Sequence, residues 1–142
     1  MLDPYCIFCK IADGKVKARV ISQSNKAMSF LDSMPLSLGH TLVIPKSHYQ
    51  KVQEMSREYS SEVFDLLWQV SLAVEKAAGA NASIIAVHNG REAGQEVPHV
   101  HVHIIPRNAD DGAGPIHTMF KKRPIFNPQE MDLILERIKS MI

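Results

Sequence analysis

Residues 95–106 read Gln-Glu-Val-Pro-His-Val-His-Val-His-Ile-Ile-Pro, and this stretch decides how the chain can fold. His99, His101 and His103 alternate with aliphatic residues, and a period of two is typical of a half-buried β-strand. Pleating then directs three imidazoles to one face of the strand and the aliphatic side chains to the other. We therefore predict a strand over about residues 98–106, with its aliphatic face in the core.

Three imidazoles on one face of a strand indicate a functional site rather than a structural one. Imidazole is the side chain whose unperturbed pKa lies nearest neutral pH, so it serves both as a proton carrier and as a nucleophile. A row of such rings can bind a metal, or its members can divide the roles of nucleophile, donor and ligand. We assign no function to two further histidines: we expect His88 to be structural and His117 to be exposed.

Two motifs of this chain resemble those of one protein family. Residues 99–105 fit the pattern His-φ-His-φ-His-φ-φ, with φ apolar, which is the signature of the histidine triad (HIT) family, of the Hint and Fhit type. Residues 30–48, from Phe30 to His48, are similar to that family's nucleotide-binding segment. The resemblance spans about residues 6–107 and implies a nucleotide hydrolase or transferase acting at an α-phosphate.

The resemblance also implies which residues do the chemistry. His101 would form a covalent nucleotidyl-imidazole intermediate, His103 and His40 would contact the phosphates, and Gln95 would donate to a leaving oxygen. No metal is needed for that step. The substrate would be a dinucleoside polyphosphate or a nucleoside phosphoramidate, and Gln95 favours the former. The implied nucleotide-binding residues are Val16, Phe30, Leu31, Asp32 and Asn89.

A second group of residues is expected to bind a metal. Cys6 and Cys9 form a Cys-x-x-Cys pair, which alone is only half a site. The resemblance implies that His48 and His99 complete a Cys₂His₂ set, and four nitrogen and sulfur ligands are typical of structural zinc. The ion would hold the N-terminal segment against the first triad histidine.

Bulk properties limit the class of protein. The chain has 142 residues, a net charge of +1 and 45% hydrophobic residues. We predict one domain over residues 1–142 and no nucleic-acid partner, because the chain lacks a strong positive charge. The N-terminus lacks a signal-peptide pattern and no apolar run is long enough to span a bilayer, so we expect no membrane partner and a cytoplasmic location.

The remaining patterns predict an α+β fold with a five-stranded antiparallel sheet and one main helix. Asp3-Pro4 indicates a helix start, and Ser56 is expected to cap the main helix, which ends near Gly79. The other predicted elements are a hairpin of strands 18–22 and 26–32, a strand over 40–45, a strand over 83–88 in which residues 84–87 form a buried-type run, and a C-terminal helix over about 128–142. The HIT resemblance implies a homodimer with a joined sheet.

The residues alone do not exclude two alternative functions. The first is a zinc-dependent metallohydrolase in which the triad histidines are the metal ligands and the ion activates water. The second is a nucleotide-binding module without turnover. In the leading hypothesis the binding partner is a purine nucleotide or a dinucleoside polyphosphate.

Overall fold

A five-stranded antiparallel sheet forms the centre of the fold, in the strand order β1-β2-β3-β5-β4. The computed structural model describes every residue from Met1 to Ile142, which divide into two units, 1–111 and 112–142. The sheet lies in the first unit and confirms the predicted antiparallel α+β architecture. Its strands are β1 Val20–Gln23, β2 Ala27–Leu31, β3 Thr41–Pro45, β4 Ala82–Ala86 and β5 Val102–Arg107.

Two helices of the first unit cover opposite faces of this sheet. The main helix α2, Arg57–Ala77, follows the Ser56 cap, whose hydroxyl accepts from the Tyr59 amide at 3.5 Å. Its apolar side packs on buried Val43, Val102 and Ile104. The short helix α1, Ile7–Ala12, packs on the other face in a cluster of the following residues: Cys6, Phe8, Cys9, Ile11, Met28, Phe30, Leu42 and Ile44.

The register between β3 and β5 decides which face carries the histidines. Val43 lies opposite Val102 and Leu42 lies opposite His103, so these pairs alternate between the two faces. Val102 therefore enters the α2 core, and His103 projects to the side covered by α1. The predicted separation of aliphatic and imidazole faces is confirmed.

Several predicted boundaries are wrong, and each has a local reason. α1 begins at Ile7, not at Pro4, because the Asp3 carboxylate accepts from the Tyr5 amide at 2.8 Å and closes a separate turn. β5 begins at Val102 instead of residue 98, because the Val100 amide donates to the carbonyl of Tyr49 at 2.7 Å, outside the sheet. The first two triad histidines thus precede the paired strand.

The predicted burial of the fourth strand is also wrong. β4 pairs only with β5 and lies at the edge of the sheet, and Ile85 in its middle is 51% exposed. A continuous apolar run is typical of a strand covered on both faces, but Ile85, which lies opposite the buried Ile104, is at the edge of the sheet where α2 does not cover it. The sequence pattern does not distinguish these two situations.

The second unit contains a short 3₁₀ turn, Ile116–Met119, and the C-terminal helix α3, Pro128–Lys139. The predicted start of α3 is confirmed, since the Asn127 side chain accepts from the Glu130 amide at 2.9 Å and Glu130 accepts from the Asn127 amide. The helix ends three residues before the predicted end at residue 142. A single domain over residues 1–142 stays a prediction. None of the helices combines the length and apolarity needed to cross a bilayer.

Candidate active site and metal centre

The second and third triad histidines lie side by side on the α1 face of the sheet. The ring centroids of His101 and His103 are 4.9 Å apart, and the Phe8 ring of α1 lies 5.1 Å from His101. His101 is only 6% exposed, so its environment is partly desolvated. The sheet and α1 thus hold two imidazoles in one small, sheltered region.

The hydrogen bond of His101 fixes its tautomer. Nδ1 lies 2.6 Å from the backbone carbonyl of His99, and a carbonyl can only accept, so Nδ1 carries the proton. The other nitrogen, Nε2, then has a free lone pair and no hydrogen-bond partner in the protein. Burial lowers the pKa of His101, which keeps the ring neutral near pH 7. A neutral imidazole with a free lone pair is a competent nucleophile.

A chain of hydrogen bonds fixes the opposite tautomer in His103. The Leu36 amide donates to Nδ1 of His40 at 3.1 Å, so His40 carries its proton on Nε2. That Nε2 donates to Nδ1 of His103 at 2.9 Å, and His103 therefore carries its proton on Nε2. This last group is buried and without a partner. A lone pair on His101 and an unused N–H donor on His103 are thus adjacent.

The burial of His103 makes stability depend on pH. Burial, followed by the neighbouring His101, lowers the pKa of His103 from 6.5 to about 4. Between pH 6.5 and about 4, the unfolded chain therefore binds a proton at His103 that the folded chain does not. The contribution of the neutral, buried ring to the stability of the fold is complete above pH 6.5 and is lost as the pH falls toward 4. We expect the free energy of unfolding to fall by at most about 3 kcal/mol from this residue.

Urea unfolding of the wild-type protein and of His103→Asn at about pH 7 and about pH 4.5 measures this contribution. The loss of stability on acidification should be smaller in the variant, because the other buried histidines remain in both proteins and cancel in the comparison. An equal loss in the two proteins would show that His103 is not the group responsible.

The four predicted metal ligands are brought together at the N-terminus of α1. The ligand atoms of Cys6, Cys9, His48 and His99 all lie within 4.8 Å of one another. Nδ1 of His99 lies 3.4 Å from Cys6 Sγ and 3.5 Å from Cys9 Sγ, and Nδ1 of His48 lies 3.4 Å from Cys9 Sγ. Tetrahedral zinc requires sulfur–nitrogen separations of ~3.6 Å at usual bond lengths, so the donor set fits this ion.

His99 connects the metal centre to the nucleophile. Its Nε2 donates to the carbonyl of Pro45 at 2.9 Å, which leaves the Nδ1 lone pair for a metal. Burial, partly offset by that hydrogen bond, lowers the pKa of His99 to about 4, so the ring is neutral as a ligand must be. The carbonyl of the same residue accepts from His101. One residue therefore contacts both sites.

The predicted nucleoside residues lie near β2. Phe30 is buried in the α1-face cluster, with Val16 packed against that cluster. Asp32 follows the strand, and its Oδ2 lies 3.7 Å from Nε2 of His40. Leu31 is partly exposed, and strand alternation directs it to the face opposite Phe30. The structure therefore groups the first three of these residues, while Leu31 lies on the other side of β2.

The two predicted amide side chains are bonded to the protein itself. Gln95 donates from Nε2 to the carbonyl of Gln50 at 2.8 Å and, at 3.5 Å, to that of His99. Asn89 accepts from the Val52 amide at 2.9 Å. In this conformation both residues fasten the 48–53 segment to the region around the triad.

His88 was missed by the sequence analysis. Its ring centroid lies 5.5 Å from that of His103, although we expected a structural role. The register of β4 on β5 provides the missing signal. Ala86 lies opposite His103, and His88, two residues after Ala86, belongs to the same face of the sheet by strand alternation. Four histidines therefore surround the sheltered region: His40, His88, His101 and His103.

Comparison with known proteins assigns this fold and site to a family. A family model described as the HIT domain matches residues 13–110. The chain belongs to the HIT family. The adenosine 5'-monophosphoramidase hnt1 of Schizosaccharomyces pombe is 38% identical over 138 residues, which cover 96% of this chain and 98% of that protein. That HIT relative is, by its name, a hydrolase of adenosine monophosphoramidates.

Solved structures of HIT proteins have the same fold. A HIT family member from Bacillus subtilis superposes with a TM-score of 0.87 at 31% identity, covering 97% of both chains. A zinc-bound histidine triad family protein from Mycobacterium smegmatis superposes with a TM-score of 0.71 at 27% identity, covering 97% of this chain and 98% of the other. The resemblance noted in the triad motif is therefore confirmed across the whole HIT fold.

Proposed function

We propose that this HIT protein hydrolyses nucleotides, or transfers their nucleotidyl group, at the α-phosphate, with His101 as the nucleophile. The observation that carries the proposal is the free Nε2 lone pair of His101 beside the unpartnered N–H of His103. Attack at phosphorus needs a lone pair and a donor for the charged oxygens at adjacent positions. The name of the fission-yeast relative, a monophosphoramidase, supports the same chemistry.

The reaction proceeds in two displacements. In the first, Nε2 of His101 forms a bond to the α-phosphorus and the bond to the leaving phosphate or amine breaks; an amine leaving group takes its proton from solvent water. The carbonyl of His99 stabilises the positive ring through its bond to Nδ1, and Nε2–H of His103 donates to a non-bridging oxygen. In the second, water attacks phosphorus, the N–P bond breaks, and a nucleoside monophosphate leaves.

The hydrogen bonds of the triad argue against the metallohydrolase alternative. Nε2 of His99 donates to Pro45 and its Nδ1 faces the cysteines, whereas Nδ1 of His103 accepts from His40. Three ligands of one ion must direct free lone pairs at one point. Of the three triad rings, only His101 has such a lone pair in the sheltered region, which argues against the triad as a metal ligand set. In a nucleotide-binding module without turnover, this free lone pair of His101 would have no function.

We propose that the nucleoside binds beside β2. The Asp32 carboxylate would accept from the vicinal hydroxyls of a ribose, while Val16 and Phe30 provide an apolar surface for a purine. Leu31 contributes only if the base reaches the strand edge. In the present conformation Asn89 and Gln95 act by fastening the 48–53 segment, and Gln95 must release its bond to Gln50 before it can reach a leaving oxygen.

We propose a structural zinc ion on Cys6, Cys9, His48 and His99. The donor separations and the neutral, correctly oriented His99 ring support it, as does the zinc-bound relative from Mycobacterium smegmatis. When bound, the ion supplies a cross-link between α1, the turn after β3 and the triad segment. The catalytic ring itself stays free, because His101 is not in the ligand set.

We propose that two copies associate through α2 and the edge of the sheet. Phe64, Trp68 and Leu72 recur every four residues on α2 and are exposed, and Ile85 is exposed on β4. Exposed apolar patches of this kind are typical of interfaces. A sedimentation-velocity experiment that gave only the monomer mass would disprove the proposed dimer.

Cytoplasmic location and the absence of nucleic-acid and membrane partners stay predictions.

The experiment that tests the function is release of adenosine monophosphate from adenosine phosphoramidate and from diadenosine polyphosphates. We expect turnover of at least one of the two classes in the presence of a chelator that removes loosely bound divalent cations. No release from either class at high enzyme concentration would contradict the proposal.

A further inference from the structure

One backbone amide sets the direction of the hydrogen-bond chain that ends at His103. His40 accepts from the Leu36 amide at Nδ1, at 3.1 Å, and donates from Nε2 to Nδ1 of His103, at 2.9 Å. A neutral imidazole carries one proton, so the nitrogen that accepts determines which nitrogen donates. With its proton on Nδ1 instead, His40 would accept from His103, and Nε2 of His103 would carry a lone pair in place of a proton.

The Asp32 carboxylate is too distant to fix the proton of His40 by itself. Its Oδ2 lies 3.7 Å from Nε2 of His40, beyond the usual length of a hydrogen bond, and its Oδ1 accepts from the Met34 amide at 2.9 Å. The chain therefore depends on the position of the Leu36 amide. This amide lies in the loop of residues 33–39, which connects β2 to β3.

Ser37 ties the middle of this loop to the sheet. The large apolar side chains of the loop are exposed, namely those of Met34, Leu36 and Leu38. Ser37 is half-buried, and its hydroxyl donates to the carbonyl of Pro106 in β5 at 2.8 Å. Its own carbonyl accepts from the His40 amide at 3.0 Å. Ser37 directly follows Leu36, so it connects this part of the loop both to β5 and to the residue that carries the ring.

The hydroxyl of Ser37 acts where the pairing of β3 with β5 has ended. Thr41 is the first residue of β3 in that pairing and lies opposite Ile104. Gly39 has a φ of +86°, a left-handed conformation that favours glycine, so the chain leaves the extended path before it comes level with Pro106. Without the Ser37 hydroxyl, we expect the loop to be held less firmly and the Leu36 amide to move more freely about His40.

We propose that Ser37 is a positioning residue for the reaction, because its hydrogen bond to Pro106 holds the Leu36 amide against His40 and thereby keeps a proton on Nε2 of His103. This inference rests on the proposed function, in which that proton is donated to a phosphate oxygen. Ser37 is not placed in contact with the substrate. It acts through the backbone of the residue before it and through the ring of His40.

Three variants separate this role from general support of the loop. Ser37→Ala removes the hydroxyl and its hydrogen bond to Pro106. Ser37→Thr keeps a hydroxyl at the same position. Leu38→Ala is the matched control, since it removes an exposed side chain of the same loop and leaves both hydrogen bonds of Ser37 in place. Circular dichroism establishes that each variant is folded.

Nuclear magnetic resonance of protein labelled with ¹⁵N-histidine reads the tautomers directly, because protonated and unprotonated ring nitrogens have well-separated chemical shifts. The spectra are recorded without substrate at about pH 8, where the rings are neutral. In the wild type we expect His40 and His103 to carry their protons on Nε2. In Ser37→Ala we expect both rings to show a mixture of tautomers, whereas Ser37→Thr and Leu38→Ala should resemble the wild type.

Turnover of adenosine phosphoramidate should change in parallel. Ser37→Ala should lower the turnover number about tenfold with little change in KM, because the donor of His103 stabilises charge that develops at the phosphate oxygens in the transition state. Ser37→Thr should restore the turnover number, and Leu38→Ala should keep it.

Unchanged tautomers of His40 and His103 in Ser37→Ala would overturn the proposal, whether or not turnover falls, since the hydroxyl would then not act through the rings. A failure of Ser37→Thr to restore the wild-type tautomers would overturn it as well. These results are distinguishable from failure of the proposed function, because the spectra need no substrate. If the tautomers respond as expected but the wild type releases no nucleotide, the hydrogen-bond role of Ser37 stands and the proposed function is wrong.

Discussion

His101→Ala should lower the turnover number about ten-thousandfold or more while leaving the binding of adenosine monophosphate nearly intact. Removing a nucleophile abolishes the covalent pathway and leaves only the acceleration due to positioning and charge stabilisation. Binding should persist, because the proposed phosphate donor His103 and the Asp32 carboxylate are unchanged. Steady-state hydrolysis and calorimetry on the same preparation measure both quantities.

A second variant guards against a folding artefact. His101 is 6% exposed, so alanine leaves a cavity, whereas His101→Asn fills most of the space. Its amide can still donate to the carbonyl of His99, but it presents no lone pair at the position of Nε2. Both variants should be inactive. Turnover within about tenfold of the wild type in the asparagine variant would remove His101 from the mechanism.

Cys9→Ser should remove bound zinc and lower the free energy of unfolding by about 3–5 kcal/mol. Cys9 is 2% exposed, and its sulfur lies near the ring nitrogens of both His48 and His99. Serine is similar in size but is a poor zinc ligand, so the cross-link between α1 and the triad segment is lost. The melting temperature should fall by roughly 10 °C for a chain of this length.

Chelation provides the control for this prediction. A strong chelator should destabilise the wild-type protein by the same amount and should have no further effect on Cys9→Ser. Elemental analysis should find one zinc ion per wild-type chain. A purified protein that contains no zinc and whose melting temperature is unaffected by chelation would contradict the structural role.

The same chelation separates the two catalytic hypotheses. If zinc is structural, protein that remains folded without it should keep measurable turnover, because the nucleophile is still present. Complete loss of turnover in folded protein, restored by zinc, would support the metallohydrolase alternative. The hydrogen bonds of the triad favour the first outcome.

The sequence predicted the parts of the fold that depend on periodicity. Alternation in residues 99–104 placed the aliphatic side chains against α2 and the imidazoles on the other face. The apolar stripe after Ser56 predicted the main helix, and the capping pair Asn127 and Glu130 predicted the start of the C-terminal helix. Both predictions were reliable because local hydrogen bonds and one apolar face determine these elements.

Features that depend on tertiary contacts were not accessible from the sequence. The edge position of β4 exposes Ile85 although its neighbours read as a buried run. Asp3-Pro4 resembles a helix start, but the carboxylate bonds to Tyr5 in a separate turn. His88 was unassigned because only the register of β4 on β5 brings it to His103.

The tautomers were likewise not predictable from the motif. The free lone pair of His101 depends on the carbonyl of His99, and the free donor of His103 depends on His40 and on the Leu36 amide. Three histidines in a row are chemically equivalent in the sequence, and their backbone and side-chain partners make them different.

The most direct test of the account is mass spectrometry of the protein during turnover. Wild-type protein is mixed with adenosine phosphoramidate and quenched in alkali, which preserves phosphorus–nitrogen bonds. We predict a mass increase of one adenylyl group, and peptide mapping should place it on His101. Release of adenosine monophosphate without any adenylylated protein, or with the group on another residue, would contradict the central claim.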